Sequence, residues 1–140
     1  MTINLFRGKY YFLSNFYPCK IIMDHIEFDS VEHTFQASKQ LDFQYKINIF
    51  HAETPGQAKI LGRKAVLRSD WESIKLDIMY QLVRQKFLHP ELKEKLLSTG
   101  NELLVEGNYW GDTFWGVCNG VGQNNLGRIL MRVRSELKVE

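Results

Sequence analysis

The chain has 140 residues, 44% of them hydrophobic and 24% charged, with 18 Lys and Arg against 16 Asp and Glu for a formal net charge of +2. That length suits one domain with its own core and not two, and the charge balance does not announce a nucleic-acid binder. There is no basic N-terminal stretch ahead of a long apolar run, nothing near the ~18 apolar residues of a membrane span, and Cys19 and Cys118 lie apart without CxxC spacing. These features point to a soluble cytoplasmic protein with no membrane partner, no disulfide framework and no zinc site.

In chain order, Ile3 to Phe6 reads as a strand. Tyr10 to Pro18 is rich in aromatics but broken by Ser14-Asn15 and closed by a proline, which predicts a loop or an edge. Lys20 to Met23 and Ile26 to Phe28 form a hairpin pattern about Asp24-His25, although the usual turn glycine is missing. Asp29 followed by Glu32 has the spacing of a capping box and predicts a helix start. At ~100° per residue, Glu32, Gln36 and Lys39 fall within roughly 60° of one another. Phe43, Ile47 and Phe50 continue helical spacing to about His51. Thr54-Pro55 is a cap with proline at the first helical position, opening a helix through Ala58, Leu61 and Ala65. Ser69-Asp70-Trp71-Glu72 is a second capping box, ahead of the longest amphipathic stripe in the chain, Trp71 to Phe87. Pro90 opens a helix that closes at Gly100. Leu103 to Val105 reads as a short strand, Glu106 to Asn125 as a glycine-rich loop, and Leu126 to Leu137 as a final helix.

Chemistry can sit at several of these places. The acid, amide and amine of Glu32, Gln36 and Lys39 share one helix face, where the ordinary role is a solvated set of helix pairs; His33 adjoins Glu32. Asn15 and Phe16 lie among aromatics that either enter the core or offer a stacking surface with an amide beside it. Asp112, between two tryptophans, can stabilise a developing cation or accept turn N–H groups. Trp71 and Trp115 are core residues or walls for a planar ligand. Gly116, Gly120 and Gly122 lead through Asn125 into a helix, so backbone N–H groups there could cradle a phosphate, or the glycines serve only the turn. No histidine has metal-ligand spacing, and neither a nucleophile elbow nor a catalytic-looking cysteine is present.

Four separated blocks then act together: Phe12-Leu13-Ser14-Asn15-Phe16, Glu32-His33-Thr34-Phe35-Gln36-Ala37-Ser38-Lys39, Asp70-Trp71-Glu72-Ser73-Ile74-Lys75, and Asp112-Thr113-Phe114-Trp115-Gly116 continuing to Gly122-Gln123-Asn124-Asn125-Leu126-Gly127 with Leu130-Met131. In this order they resemble the NADAR, or YbiA-like, family across nearly the whole chain. The resemblance implies an α+β fold, a helix-rich compact single domain with short strands over residues 1–140. It implies an N-glycosidase that hydrolyses a ribosyl-nitrogen bond, such as ADP-ribose on guanine bases or a phosphoribosylamino-pyrimidine of riboflavin synthesis. The expected partner is a ribosylated nucleobase or nucleotide, with ADP-ribosylated DNA or RNA as a further form, and no cofactor. Cleavage of such a bond passes through a cation-like ribosyl carbon and needs a carboxyl group, a water and a proton for the departing nitrogen. Glu32, Lys39 and Asp112 are therefore the catalytic candidates, with Lys39 able to attack as an amine if its pKa is lowered. Asn15, Phe16, His33, Gln36, Trp71, Trp115, Gly116, Gly122 and Asn125 are the substrate-binding candidates. The alternative is a non-catalytic ADP-ribose or nucleotide-binding module, which needs the same pocket but tolerates loss of the acid; a structural or interaction domain would leave the Glu32 face solvated.

Overall fold

The computed structural model describes residues 1–140. In chain order it contains β1 (Thr2–Ile3), a 3-10 helix (Gly8–Leu13), β2 (Ile21–Met23), β3 (Ile26–Phe28), α1 (Val31–Ala37), α2 (Phe43–Phe50), α3 (Pro55–Arg63), α4 (Trp71–Phe87), α5 (Pro90–Ser98), β4 (Leu103–Leu104), β5 (Gly107–Asn108), β6 (Val117–Cys118) and α6 (Asn125–Lys138). This is the expected helix-rich α+β composition with short strands. The chain divides into two compact units, Asn15–Lys86 and a second formed by Met1–Ser14 with Phe87–Glu140. No helix is long and apolar enough to cross a membrane.

In the unit Asn15–Lys86, β2 and β3 pair antiparallel with Ile21 opposite Phe28 and Met23 opposite Ile26. The hairpin needs no glycine because Asp24 and His25 themselves take left-handed φ values of 53° and 63°. A primed turn requires such φ values, and Asp and His are among the residues that tolerate them best. An ion pair between Asp24 and the buried Lys46 ties the turn to α2. Ile26, Phe28, Ala37, Ile49, Ala52 and Ala58 form the apolar cluster under α1. That helix packs on α2, α3 and both hairpin strands, and all of its residues are buried.

In the other unit, β1 pairs parallel with β4, and β5 with β6. Helix α6 lies on β4 and α5, burying Leu126, Ile129, Leu130, Val133 and Leu137, the stripe that a 3.6-residue period predicts. Arg134 is buried in the same contact, where its Nη1 donates to Thr99 Oγ1 of the α5 end at 2.9 Å.

Three local expectations change. The strand at Ile3 to Phe6 contracts to Thr2–Ile3. The aromatic run begins as a 3-10 helix, Gly8–Leu13, whose two turns of three residues are too short for an amphipathic period to announce them. The cap of α1 is Ser30 and not Asp29: Ser30 Oγ accepts from the His33 N–H at 3.0 Å, while Asp29 is drawn outward into an exposed ion pair with Lys20 at 2.5 Å.

This arrangement sets an expectation for stability. Ser30→Ala should lower the unfolding free energy by ~1 kcal/mol or more, as loss of a helix cap does, whereas Asp29→Ala removes an exposed pair and should change it by less than ~1 kcal/mol. Urea unfolding of the two variants checks this; equal losses would mean that Ser30 is not the cap.

Candidate active site

The face carrying Glu32, Gln36 and Lys39 is not solvated. Burying α1 requires its polar side chains to find partners, and most do so locally. Thr34 Oγ1 donates to Ser30 O at 2.8 Å. His33 is 2% exposed, with Nδ1 at 2.7 Å from Ser30 Oγ and Nε2 at 3.0 Å from Ala52 O. Both ring nitrogens are thereby engaged, and His33, expected at the substrate, is a strut between the cap of α1 and the end of α2.

Glu32 is 8% exposed. Its Oε2 accepts from Gln36 Nε2 at 2.6 Å, one helical turn on, and its backbone N–H donates to Asn15 O at 3.0 Å. Burial pushes the Glu32 carboxyl above the ordinary carboxylate range; the Gln36 hydrogen bond and the charges of Lys59, Lys39 and His33 pull the other way without prevailing. Gln36 Oε1 is buried without a hydrogen-bond partner, and it faces Gly62, where any Cβ would overlap it. Glycine at position 62 is what lets α3 approach α1 with the Gln36 amide between them. Tyr45 Oη, from α2, donates to Gln36 O at 2.9 Å.

Lys39 stands just beyond α1 in a turn held by its own carbonyl, which accepts from the Arg68 N–H at 2.9 Å. Its amine is half-buried, and burial lowers its pKa; Glu32 opposes this, while Arg63, Lys59 and Lys75 add to it. Helix α1 thus carries a carboxyl biased toward its protonated form in its first turn and, just past its last turn, an amine biased toward its neutral form. Acids and bases displaced in this way toward neutral pH are the usual equipment of proton transfer and amine attack.

Asn15 supports this face through its backbone, and its Nδ2 contacts Met79 Sδ at 3.5 Å. Phe16 is half-buried in the following turn. Trp71, expected as a wall for a planar ligand, is 5% exposed and packs on Phe35 with ring centroids 5.1 Å apart. Its large apolar area goes into the core, which leaves little ring to offer a ligand.

The remaining candidates lie in the other unit. Asp112 Oδ1 accepts from the N–H groups of Phe114 and Trp115 at 3.2 and 2.9 Å, the turn-forming role of an Asp side chain. Asn108, which the sequence reading passed over, closes the same turn: its Oδ1 accepts from the Asp112 N–H at 3.0 Å and its Nδ2 donates to Asp112 O at 2.9 Å. Trp115 is half-buried, edge-on to Phe114 with centroids 4.8 Å apart. Gly116 is buried against Glu106 and Asn108, and a Cβ on Gly122, whose φ is +153°, would strike the Gly116 carbonyl.

At the start of α6, where the sequence suggests a phosphate cradle, backbone donors are engaged within the chain. The N–H groups of Asn124, Asn125 and Leu126 donate to the carbonyls of Gly116, Phe114 and Trp115 at 3.3, 3.2 and 3.0 Å. Asn125 Nδ2 adds a bond to Phe114 O at 2.9 Å. The glycine loop folds back onto the helix end and satisfies the donors that an anion would have used. Gly116, Gly122 and Asn125 therefore build the loop itself.

The positive charges of Arg63, Lys59 and Lys75 act on Lys39, and spacing along the chain does not single these residues out. A faint signal exists: Lys59 and Arg63 are spaced i,i+4 and each follows a small residue, Ala58 and Gly62, of the face that packs inward.

The NADAR domain model matches residues 5–138. An N-glycosidase of Nostoc punctiforme is 42% identical over 147 residues, covering 99% of this chain and 94% of that protein. A riboflavin biosynthesis protein of Vibrio vulnificus is 42% identical over 131 residues, covering 91% of this chain but only 35% of that longer protein. The NMR structure of the Escherichia coli protein YbiA superposes with a TM-score of 0.86 at 37% identity, covering 99% of this chain and 86% of that one.

The buried carboxyl has a pH signature. Because its pKa is raised on folding, Glu32 in the folded chain holds a proton that the unfolded chain releases as pH climbs past the ordinary carboxylate range. Its contribution to stability therefore declines with rising pH from that range until folded Glu32 itself ionises. Glu32→Gln should flatten this decline and be at least as stable as wild type at neutral pH. Urea unfolding at a series of pH values measures both slopes; identical slopes would place Glu32 in a solvated setting.

Proposed function

As the chain belongs to the NADAR family, we propose that residues 1–140 form one catalytic domain that hydrolyses the bond between a ribosyl carbon and a nucleobase or amino nitrogen. The relatives that carry the name N-glycosidase support the reaction class, and the acid, amide and amine face of α1 supplies its chemistry. The observation that carries the reading is the coupled displacement of Glu32 and Lys39, the carboxyl toward its neutral form by burial and the amine toward its neutral form by burial and neighbouring cations.

In this mechanism the Lys39 amine attacks the ribosyl carbon as the carbon–nitrogen bond breaks. The bonding pair leaves with the nitrogen, which takes the proton of Glu32. The positive charge that appears on the ribosyl–Lys39 adduct is matched by the negative charge left on Glu32, so the half-dry site stays electrically balanced. The bond from the ribosyl carbon to the ring oxygen then breaks as that oxygen takes one of the adduct's N–H protons, leaving an iminium; water adds to its carbon, and release of ribose restores the neutral amine while the remaining proton returns to Glu32. Gln36 holds Glu32 in register, donating to the same oxygen before and after proton transfer. The substrates in view are ADP-ribose on guanine bases, free or within nucleic acid, and a phosphoribosylamino-pyrimidine of riboflavin synthesis, met in the cytoplasm. The names of the Nostoc and Vibrio relatives favour this pair of chemistries.

Incubation with ADP-ribosylated guanine DNA and, separately, with phosphoribosylamino-pyrimidine, followed by mass spectrometry of the released base, tests the reading. Glu32→Gln keeps shape and most hydrogen bonding, so turnover should fall by ~10²-fold or more while ligand affinity changes little. Lys39→Ala should also lose turnover, and borohydride should trap a covalent adduct in wild type alone. Absence of the adduct during turnover would reduce Lys39 to an electrostatic role. Undiminished base release by Glu32→Gln would move the carboxyl assignment to Asp112, and tight ligand binding without any base release would leave a binding module.

A further inference from the structure

A cleft of about 440 Å³ lies within the unit Asn15–Lys86, and neither Glu32 nor Lys39 lines it. Its apolar walls come from α2, as Tyr45 and Ile49, and from the end of α3 and the residues after it, as Leu61, Ala65 and Val66. Ile49 is fully buried, while Leu61 and Val66 are 38% and 79% exposed, so the cleft runs from the core to the surface. A volume of this order is usual for small-molecule sites, which combine apolar walls with a few placed polar groups.

Four polar residues complete the lining, Gln40, Asp42, Asn48 and Lys64. Part of their hydrogen-bonding capacity holds the fold. Gln40 Nε2 donates to Val66 O, Asp42 Oδ2 accepts from the Tyr45 N–H at 2.9 Å, and Asn48 Oδ1 accepts from Gln44 Nε2 at 3.0 Å. Those bonds leave Gln40 Oε1 and Asp42 Oδ1 as acceptors and Asn48 Nδ2 as a donor. The charges of Asp42 and Lys64 offset each other, so the lining has no net attraction for an anion or a cation. An uncharged ring with amide-like groups on its edge meets all of these demands. Its faces contact the Tyr45 ring and the aliphatic walls, its edge pairs with the free acceptors and donor, and it brings no charge to be desolvated.

The cleft also borders the supports of the Glu32 and Lys39 face. Tyr45 Oη donates to Gln36 O at 2.9 Å, and Gln36 Nε2 donates to Glu32 Oε2 at 2.6 Å. Burial pushes the Tyr45 phenol up to about 12, so it stays a donor at neutral pH. Gln40 directly follows Lys39, whose carbonyl accepts from the Arg68 N–H just beyond Val66. A molecule in contact with Tyr45 and Val66 therefore bears on both supports.

We propose that this cleft binds a small uncharged heteroaromatic molecule, at a site separate from the Glu32 and Lys39 face and linked to it through the Tyr45 hydroxyl. The site goes beyond the N-glycosidase reading and does not depend on it, since its binding is measured without turnover.

Uracil and nicotinamide, neutral rings that carry both a donor and an acceptor, are titrated into the full chain while backbone amide signals are followed by NMR. Toluene, which has no polar edge, and benzoate, an anion, are titrated for comparison. Uracil or nicotinamide should shift the amides of residues 42–49 and 61–66 and bind ~10-fold or more tightly than toluene or benzoate. Asn48→Ala should weaken that binding ~5-fold, as loss of one hydrogen bond does. Val66 is exposed, so Val66→Trp places a large ring at the cleft without entering the core, and it should weaken binding ~10-fold or more. Tyr45→Phe keeps the ring wall, so binding should persist while the shifts relayed to the amides of Glu32 and Gln36 disappear. Equal affinity in wild type and Val66→Trp, or shifts centred outside residues 40–66, would overturn the site. Benzoate or toluene binding as tightly as uracil and nicotinamide would overturn the ligand class, and relayed shifts that survive Tyr45→Phe would overturn the link.

Discussion

The hydrogen bond between Gln36 Nε2 and Glu32 Oε2 inside a fully buried helix is the constraint around which the unit Asn15–Lys86 is built. Taking a carboxylate out of water costs several kcal/mol, and one amide donor returns only part of that, so the site relieves the cost by favouring the protonated acid. Holding the amide in place takes further residues: Tyr45 fixes the Gln36 carbonyl, Asn15 the Glu32 N–H, and Gly62 leaves the space that the amide fills. None of these contacts is strong alone. Together they keep an acid in a position where an isolated one would be expelled to solvent.

Burial by itself does not make an amine useful. Lys86 is fully buried and its pKa is drawn down to about 7 by burial, with the ring of Tyr17 5.6 Å from its Nζ. Lys46 is equally inaccessible but closes an ion pair with Asp24 that pins a hairpin. Lys39 differs from both in remaining partly exposed, near a carboxyl that burial biases toward its protonated form. The proposed mechanism asks for an amine that is reachable as well as neutral, and of these three lysines only Lys39 combines the two with an acid two helical turns before it in the chain.

The loop from Glu106 to Asn125 shows the opposite use of polar groups. Its glycines permit close approaches, as at Gly116 and Gly122, and its side-chain amides bridge strand to helix. Asn124, at a left-handed φ of 55°, accepts from the Glu106 N–H and donates to Leu104 O. The outcome is a helix start whose donors are consumed internally. A pattern of glycines before a helix is compatible both with an anion seat and with a self-satisfied loop, and spacing does not distinguish them, because the choice depends on which carbonyls fold back.

The periodic and punctuating features of the chain were readable in its residues because they are enforced locally. Thr54-Pro55 opens α3, Pro90 opens α5, Gly100 with φ 62° closes it, and the apolar stripe of α6 follows its own period. The acid, amide and amine face of α1 was equally visible, since three residues seven positions apart share a helix side whatever surrounds it. What tertiary structure decided was the environment of that face. Burial of Glu32 depends on α2, α3 and the hairpin, and the charges at 59, 63 and 75 act on Lys39, with that at 59 acting also on Glu32, because α3 packs on α1 and α4 follows in the same unit. Ser30 displaced Asp29 as the cap for a similar reason: Lys20, from across the hairpin, competes for the carboxylate. A sequence specifies which groups one helix turn presents, but a pKa is a property of everything that replaces water around a group, and that is settled only when distant segments meet.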